Sequence, residues 1–142
     1  MTNKYMYFVA NWKMYGNLKS LNTLDKVIRF SKSKEIKKGR LIYCPPFTLI
    51  SSFQKKFANC LIDIGAQNCH ENIEYGPHTG YINAKMLKAI GANYVIIGHS
   101  ENREKGENDK LINQKIRSAI NANLKVIFCI GETFKQKKKW KN

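Results

Sequence analysis

The chain of 142 residues carries 25 lysine and arginine residues against 10 acidic residues, which gives it a net charge of +15 at pH 7. Its length suits one domain with a buried core, and it contains no apolar run near the roughly 20 residues that a membrane helix needs. Four cysteines without a Cys-x-x-Cys pair predict reduced thiols. We therefore expect a cytoplasmic protein in which residues 1–4 lead directly into the first strand, without a secretory leader.

Strand and helix patterns alternate along the chain from the amino terminus onward. Apolar runs predict strands over residues 6–10, 41–44, 61–65, 94–97 and 124–130. Apolar residues at helical spacing predict helices over residues 18–31, 47–57, 84–90 and 107–122. Such alternation is typical of a parallel sheet with helices packed on it. Residues 67–83 are the exception among otherwise short connections.

Polar side chains follow the first predicted strand at the point where it ends. Asn11 brings an amide and Lys13 brings a positive charge, whereas the indole of Trp12 is expected to pack against neighbouring residues. In parallel α/β folds, ligands bind at the carboxyl ends of the strands. We therefore expect Asn11 and Lys13 to lie near a ligand.

The fourth predicted strand stops at Gly98 and is followed directly by His99. Ser100 and Glu101 are predicted to cap and start a helical turn, whose backbone N–H groups would favour a neutral imidazole. A neutral imidazole can polarise a carbonyl group, and together with Lys13 it would suit an anionic substrate that carries one. A hydrogen-bonded structural histidine is the alternative interpretation of His99.

Five blocks of this sequence resemble the triosephosphate isomerase family, in the order and approximate spacing of that family. The blocks are Asn11-Trp12-Lys13-Met14, Gly65-Ala66-Gln67-Asn68-Cys69, Gly76 with Thr79-Gly80, Tyr94 to Glu101, and Cys129-Ile130-Gly131-Glu132-Thr133. Together they correspond to the amino-terminal part of the family's (β/α)8 barrel, which typically needs about 250 residues. The resemblance therefore implies an α/β fold, a partial barrel of about five parallel strands with helices outside.

The resemblance divides the chain near residue 133. Residues 1–133 are predicted to form the amino-terminal part of the barrel, and residues 134–142 to form a lysine-rich tail with little apolar periodicity. The family's general base, lid and phosphate-binding loops follow its sixth, seventh and eighth strands. We therefore expect this chain by itself to be inactive, and the lysine run to reflect a truncated or frame-shifted reading of a longer gene.

The resemblance also implies a reaction and a role for each candidate site residue. Triosephosphate isomerases interconvert dihydroxyacetone phosphate and D-glyceraldehyde 3-phosphate through an enediolate, in glycolysis and gluconeogenesis. His99 would be the electrophile, Lys13 would stabilise the phosphate and the developing negative charge, and Asn11 would orient the substrate. Glu101 and Ser100 would contact these side chains, and not the substrate, and would hold them in position. Neither an organic cofactor nor a metal is implied.

The family assembles as a homodimer, in which the loop that corresponds to residues 67–83 inserts into the partner subunit. Thr79 matches the residue of that loop that reaches the active site of the partner. The sequence departs from the family pattern at Pro77, His78 and Tyr81, and Tyr81 replaces an acidic residue. A plain solvated loop is therefore the alternative interpretation of this segment.

Two other functions are compatible with the charge and the length of the chain. The lysine-rich residues 134–142, with Trp140 or Phe134 as stacking groups, would suit a nucleic-acid-binding module. The spread of basic residues over the predicted helices and the lack of a nucleic-acid-binding signature disfavour that function. An inactive fragment that pairs with another protomer through residues 67–83 is the other alternative, because a half barrel leaves its edge strands and inner face uncovered.

Overall fold

A computed structural model describes residues 5–33, 36, 38–131 and 137. Within these residues, five strands form one parallel sheet in the order β1-β2-β3-β4-β5. The strands are β1 (Met6–Asn11), β2 (Gly39–Cys44), β3 (Ile62–Ala66), β4 (Tyr94–Ile97) and β5 (Lys125–Phe128). The number of strands and their parallel direction are confirmed, and their boundaries agree with the sequence pattern to within about two residues.

Helices connect successive strands, as the alternating pattern predicts. They are α1 (Asp25–Ser31), α2 (Ile50–Lys56), α3 (Ala84–Ala89), α4 (Ser100–Glu104) and α5 (Asp109–Asn121). Two 3-10 helices, Leu18–Leu24 and Phe47–Leu49, precede α1 and α2, so each of the first two predicted helices is divided in two. No helix in the described part of the chain is long and apolar enough to cross a membrane.

Asparagine side chains fix the starts of three helical elements. Asn17 accepts a hydrogen bond from the backbone N–H of Lys19 and begins the first 3-10 helix, and the Ser20 hydroxyl accepts from the backbone N–H of Asn17 to complete a capping box. The side chains of Asn83 and Asn108 accept from backbone N–H groups in the first turns of α3 and α5 and cap these helices. Because Asn83 is also the last residue of the long loop after β3, the cap fixes the point at which that loop ends.

The main hydrophobic core lies between the sheet and the helices. Side chains alternate along β2, so that Leu41 faces the helices while Ile42 faces the opposite side of the sheet. Phe53 on α2 is fully buried, and its ring meets that of Trp12 edge-to-face at 5.0 Å between ring centroids. The prediction that Trp12 packs against its neighbours is thus confirmed, and this packing seats the end of β1 on α2.

The other face of the sheet buries a small cluster of Ile42, Cys44, Tyr94 and Ile96, but it is open beside β1 and β5. Tyr7 and Val9 on β1 and Lys125 on β5 line an open cavity of about 350 Å³ on this face. Tyr7 and Val9 are 55% and 39% exposed, and Met6 and Phe8, which alternate onto the helix-facing side of this strand, are 63% and 50% exposed. Strands β1 and β5 are the two edges of the sheet. The expectation that a partial barrel exposes its edges and its inner face therefore holds for the described residues.

A buried ion pair anchors the start of the long loop after β3. Lys115 on α5 pairs with Glu107, and their side chains are only 9% and 11% exposed. Asn68 donates to Glu107 Oε1 at 2.7 Å and accepts from Lys115 Nζ at 3.3 Å. The amide therefore joins the two charges, which satisfies part of their hydrogen-bonding capacity away from water. The first residues of the loop are in this way fixed to α5.

The core predicts unequal effects for two phenylalanine substitutions. Phe53→Ala should lower the free energy of unfolding by about 3–5 kcal/mol, because it removes a fully buried ring and leaves a cavity against Trp12. Phe30→Ala on α1 is the control, since that ring is 45% exposed and should cost much less. Urea unfolding followed by circular dichroism measures both changes. Equal losses in the two variants would contradict this account of the core.

Candidate active site

The carboxyl ends of β1, β3 and β4 converge on one cavity. Asn11 is the last residue of β1, Gln67 follows β3 directly, and His99 lies two residues after β4. These residues share a cavity of about 220 Å³. Its lining is Asn11, Lys13, Phe47, Gln67, Asn68, His99, Glu101 and Asn102. Polar side chains that follow the first and fourth strands therefore line the same cavity at this edge of the sheet.

Hydrogen bonds hold the backbone at Lys13 in a conformation that side chains rarely adopt. Its φ angle is +51°, in the left-handed region. The N–H of Lys13 donates to Asn11 Oδ1 at 2.9 Å. Gln67 Nε2 donates to the carbonyl oxygens of Lys13 at 2.8 Å and of Cys44 at 2.9 Å. The side chain of Gln67 therefore connects the ends of three consecutive strands and fixes where Lys13 lies.

Lys13 forms an ion pair with Glu101 across the cavity. Lys13 Nζ lies 2.8 Å from Glu101 Oε1, and the two side chains are 51% and 53% exposed. The hydrogen bond and charge of Glu101 raise the pKa of Lys13, and the hydrogen bond from Lys13 lowers the pKa of Glu101. Both groups are therefore charged over the neutral range. Glu101, which is expected to support the site side chains, thus contacts Lys13 directly.

His99 itself caps helix α4. Its Nδ1 accepts a hydrogen bond from the backbone N–H of Glu101 at 3.3 Å. The expectation that Ser100 provides the cap is wrong, because Ser100 is already the first residue of α4 and His99 is the capping residue before it. With Nδ1 as acceptor, Nε2 is the N–H donor of the neutral ring.

Arg103 fixes the turn that carries His99. Its Nε donates to the carbonyl oxygen of Gly98 at 2.8 Å, and its Nη1 pairs with Asp109 Oδ1 at 2.8 Å. Gly98 has a φ angle of +76°, and a Cβ added there would meet Arg103 Nη2 and the carbonyl oxygen of Cys129, each at 3.2 Å. Only glycine fits this position without strain. The turn after β4 is thus held from one side by α4 and from the other by the end of β5.

A second cavity, of about 460 Å³, opens on the other side of His99. It is lined by Gly98, His99, Ser100, Arg103, Glu104, Cys129, Ile130 and Gly131. Burial raises the pKa of the Cys129 thiol, so this residue lines the cavity as a neutral thiol. Glu132 and Thr133, the last residues of the fifth family block, lie outside the described residues.

Thr79 lies away from these two cavities. It is an exposed residue of the loop after β3 and is not among the residues that line either cavity. Over residues 5–33, 36, 38–131 and 137, no group of three or more histidine, cysteine, aspartate or glutamate side chains is arranged to hold a metal ion. The smaller cavity presents a cation with its paired carboxylate, an imidazole, and the side-chain amides of Asn11, Gln67, Asn68 and Asn102.

The sequence profile of the family described as triosephosphate isomerase matches residues 6–142 of the chain. The chain belongs to the triosephosphate isomerase family. Its fold agrees with a solved triosephosphate isomerase from Bartonella henselae, with a TM-score of 0.86 and 38% identity over 95% of this chain and 55% of that one. The partial barrel that the resemblance implied is thus confirmed as part of a triosephosphate isomerase barrel.

Two curated relatives show how the match is distributed. A triosephosphate isomerase from Wolbachia pipientis wMel is 48% identical over 94 residues, which are 66% of this chain and 36% of that protein. One from Alkaliphilus oremlandii is 42% identical over 129 residues, which are 90% of this chain and 51% of that protein. The chain thus spans about half, or less, of the triosephosphate isomerases that it matches.

The ion pair makes a prediction about the pKa of Lys13. Glu101→Gln should return that pKa towards 10.5, because the substitution removes the carboxylate that raises it. Heteronuclear NMR titration of the lysine Nζ signal measures the change, and Glu104→Gln on the same helix is the control. An unchanged pKa in the Glu101 variant would contradict the contact.

The same pair sets the pH range over which it stabilises the fold. Its contribution is complete between the ordinary values of about 4.5 for Glu101 and 10.5 for Lys13. It is lost as the pH falls through the lowered pKa of Glu101, and again as the pH rises through the raised pKa of Lys13. Because both side chains are half exposed, the contribution is small and sensitive to salt.

Proposed function

We propose that this site acts on a triose phosphate, and that it belongs to the interconversion of dihydroxyacetone phosphate and D-glyceraldehyde 3-phosphate in glycolysis and gluconeogenesis. The observation that carries the proposal is the contact of Lys13 with Glu101, whose backbone N–H in turn donates to His99. These contacts bring a cation and an imidazole to the edge of one cavity. Such a pair suits a substrate with both a phosphate and a carbonyl group.

His99 is the group that we assign to the carbonyl oxygen. Since its Nδ1 accepts from the helix, Nε2 carries the proton and can donate to an oxygen on which negative charge develops. A donor of this kind stabilises an enediolate and can pass a proton between its two oxygens. Arg103, through its bond to the Gly98 carbonyl, acts on the orientation of the ring and not on the substrate.

Lys13 and Asn11 are the groups that we assign to substrate binding. Lys13 is charged and half exposed at the cavity, so its ammonium group is available to a phosphate or an enediolate oxygen. Asn11 Oδ1 is occupied by the N–H of Lys13, and its amide nitrogen is therefore the atom that can donate to the substrate. Glu101 prevents the ammonium group from turning away from the cavity.

The carboxylates that line the two cavities are poorly suited to remove a proton from carbon. Glu101 is ion-paired with Lys13, and Glu104 is an exposed residue at the end of α4. A general base must lie within hydrogen-bond reach of the carbon-bound proton and be shielded from water. We therefore propose that the base comes from outside the described residues, and that the 142-residue chain binds substrate without converting it.

Binding is the first test of this proposal. Dihydroxyacetone phosphate should produce saturable shifts of the Lys13 and Glu101 amide signals in NMR spectra, with a Kd of about millimolar, because only part of a phosphate site is present. Lys13→Met should abolish these shifts. Dihydroxyacetone without phosphate is the matched control ligand and should cause none. Identical shifts with both ligands, or none with either, would contradict a triose phosphate site.

Turnover is tested separately, in a coupled isomerase assay on the purified chain. The chain should show no rate above that of a His99→Gln preparation made in parallel, which reports contaminating host enzyme. A rate that depends on His99 would overturn the proposed inactivity, and it would mean that another base is recruited. Glu104→Gln would then show whether that base is the carboxylate beside the larger cavity.

We also propose that the chain takes part in a homodimer and acts in the cytoplasm. Residues 74–81 form an exposed stretch of the loop after β3 that includes Thr79, which is where the family resemblance expects the contact with a second subunit. All four cysteines are free thiols, as is usual in a reducing compartment. Light scattering over a range of concentrations tests the dimer, which Thr79→Arg should weaken and a solely monomeric chain would exclude.

A further inference from the structure

The loop after β3 contains a pair of stacked imidazoles that the proposed reaction does not use. The rings of His70 and His78 lie 4.5 Å apart between centroids, at an angle of 37°. Tyr81 packs edge-on against His70 at 4.9 Å. The side chain of His70 is only 8% exposed, and together the three rings border a cavity of about 250 Å³. His70 is thus the buried member of the stack, whereas His78 and Tyr81 lie at the exposed surface of the loop.

Asn72 donates hydrogen bonds to both imidazoles. Its backbone N–H donates to His70 Nδ1 at 3.1 Å, and its side-chain Nδ2 donates to His78 Nε2 at 2.8 Å. Each of these ring nitrogens must be unprotonated to accept such a bond. The backbone contact therefore requires an unprotonated His70 Nδ1, and the side-chain contact, with Asn72 Nδ2 as donor, requires an unprotonated His78 Nε2.

We propose that Asn72, His70 and His78 form an acid-released latch, which holds the loop between β3 and α3 closed at neutral pH and frees it when the imidazoles are protonated. Protonation of His70 at Nδ1 would make this nitrogen a donor that faces the backbone N–H of Asn72, which is also a donor. The backbone N–H cannot rotate away, so the hydrogen bond is replaced by a repulsive contact. The Asn72 side chain can rotate to present its oxygen to a charged His78, but the two stacked rings would then carry like charges at close range.

The other charged groups around the pair do not prevent this release. Glu71 Oε2 lies 3.7 Å from His70 Nε2, the nitrogen that carries a proton in both states, and its attraction favours the charged ring. Glu74 also lines the cavity, but Lys85 on α3 neutralises it at 2.5 Å. Histidine is the side chain whose charge ordinarily changes between about pH 5 and 8.

Release would open a defined segment. The N–H of His70 donates to the carbonyl oxygen of Ile82 at 2.9 Å, and the N–H of Tyr81 donates to that of His78 at 3.2 Å. These bonds close the loop on itself between its two fixed ends, which are Asn68 on the buried ion pair and Asn83 at the cap of α3. Loss of the latch therefore frees the middle of the loop without unfolding the sheet.

Amide hydrogen exchange on the 142-residue chain at pH 7.5 and pH 5.5 tests the latch. After correction for the intrinsic pH dependence of exchange, protection of the Asn72, Tyr81 and His70 amides should fall about tenfold or more at the lower pH, because histidines then become mostly charged. Amides within α5 serve as the internal reference and should keep their protection. Equal loop protection at both pH values would overturn the proposal.

Variants separate the latch from general acid destabilisation. The double variant His70→Phe/His78→Phe keeps two stacked rings without titration, and its loop protection should not depend on pH. Asn72→Asp should reduce the pH-dependent loss of protection without abolishing it, because its carboxylate accepts from a charged His78 while the backbone N–H at residue 72 still opposes a charged His70. His99→Gln, which changes the histidine outside the loop, should behave like the unaltered chain. A pH-dependent loss in the double variant, or an undiminished loss in Asn72→Asp, would contradict the assignment.

Discussion

The common direction of the five strands is the constraint on which the rest of this structure depends. Because every strand of the sheet is parallel, every strand ends at the same edge, and residues far apart in sequence meet there. Gln67 uses this geometry directly, since its one amide group reaches the carbonyl oxygens of Lys13 and Cys44 on neighbouring strand ends. A shift in the pairing of β1 with β2 would separate those two oxygens and release the strained backbone of Lys13.

Two ion pairs, one that anchors the loop after β3 and one at the candidate site, have a structural role in a chain that is strongly basic as a whole. The pair of Lys115 and Glu107 is buried and holds a loop, whereas the pair of Lys13 and Glu101 is half exposed and holds a functional side chain. The difference in burial matters, because a buried pair resists salt while an exposed one is screened. Among the described residues, most of the other lysine and arginine side chains are exposed, where their charge affects solubility more than structure.

The sequence predicted the architecture better than the contacts. Apolar runs located the five described strands, because burial between sheet and helices requires apolar residues at regular positions, and this spacing is visible in the sequence. The polar residues at the ends of β1 and β4 could be assigned to one site for the same reason. The cap of α4 could not, because either His99 or Ser100 can accept the N–H bond and only the backbone geometry decides between them. The hydrogen bonds of Gln67 join residues that are distant along the chain, and that of the Asn72 side chain depends on one rotamer. Neither feature can be predicted from apolar pattern or secondary-structure propensity.

The exposed first strand has a consequence for how the polypeptide behaves before any partner covers it. Met6, Tyr7 and Phe8 present apolar side chains beside a row of backbone groups that no other described strand pairs with. Two such rows can join to each other, and the rate of joining rises with the square of protein concentration. We therefore expect slow, dilute expression to give dispersed protein and rapid overexpression to give inclusion bodies.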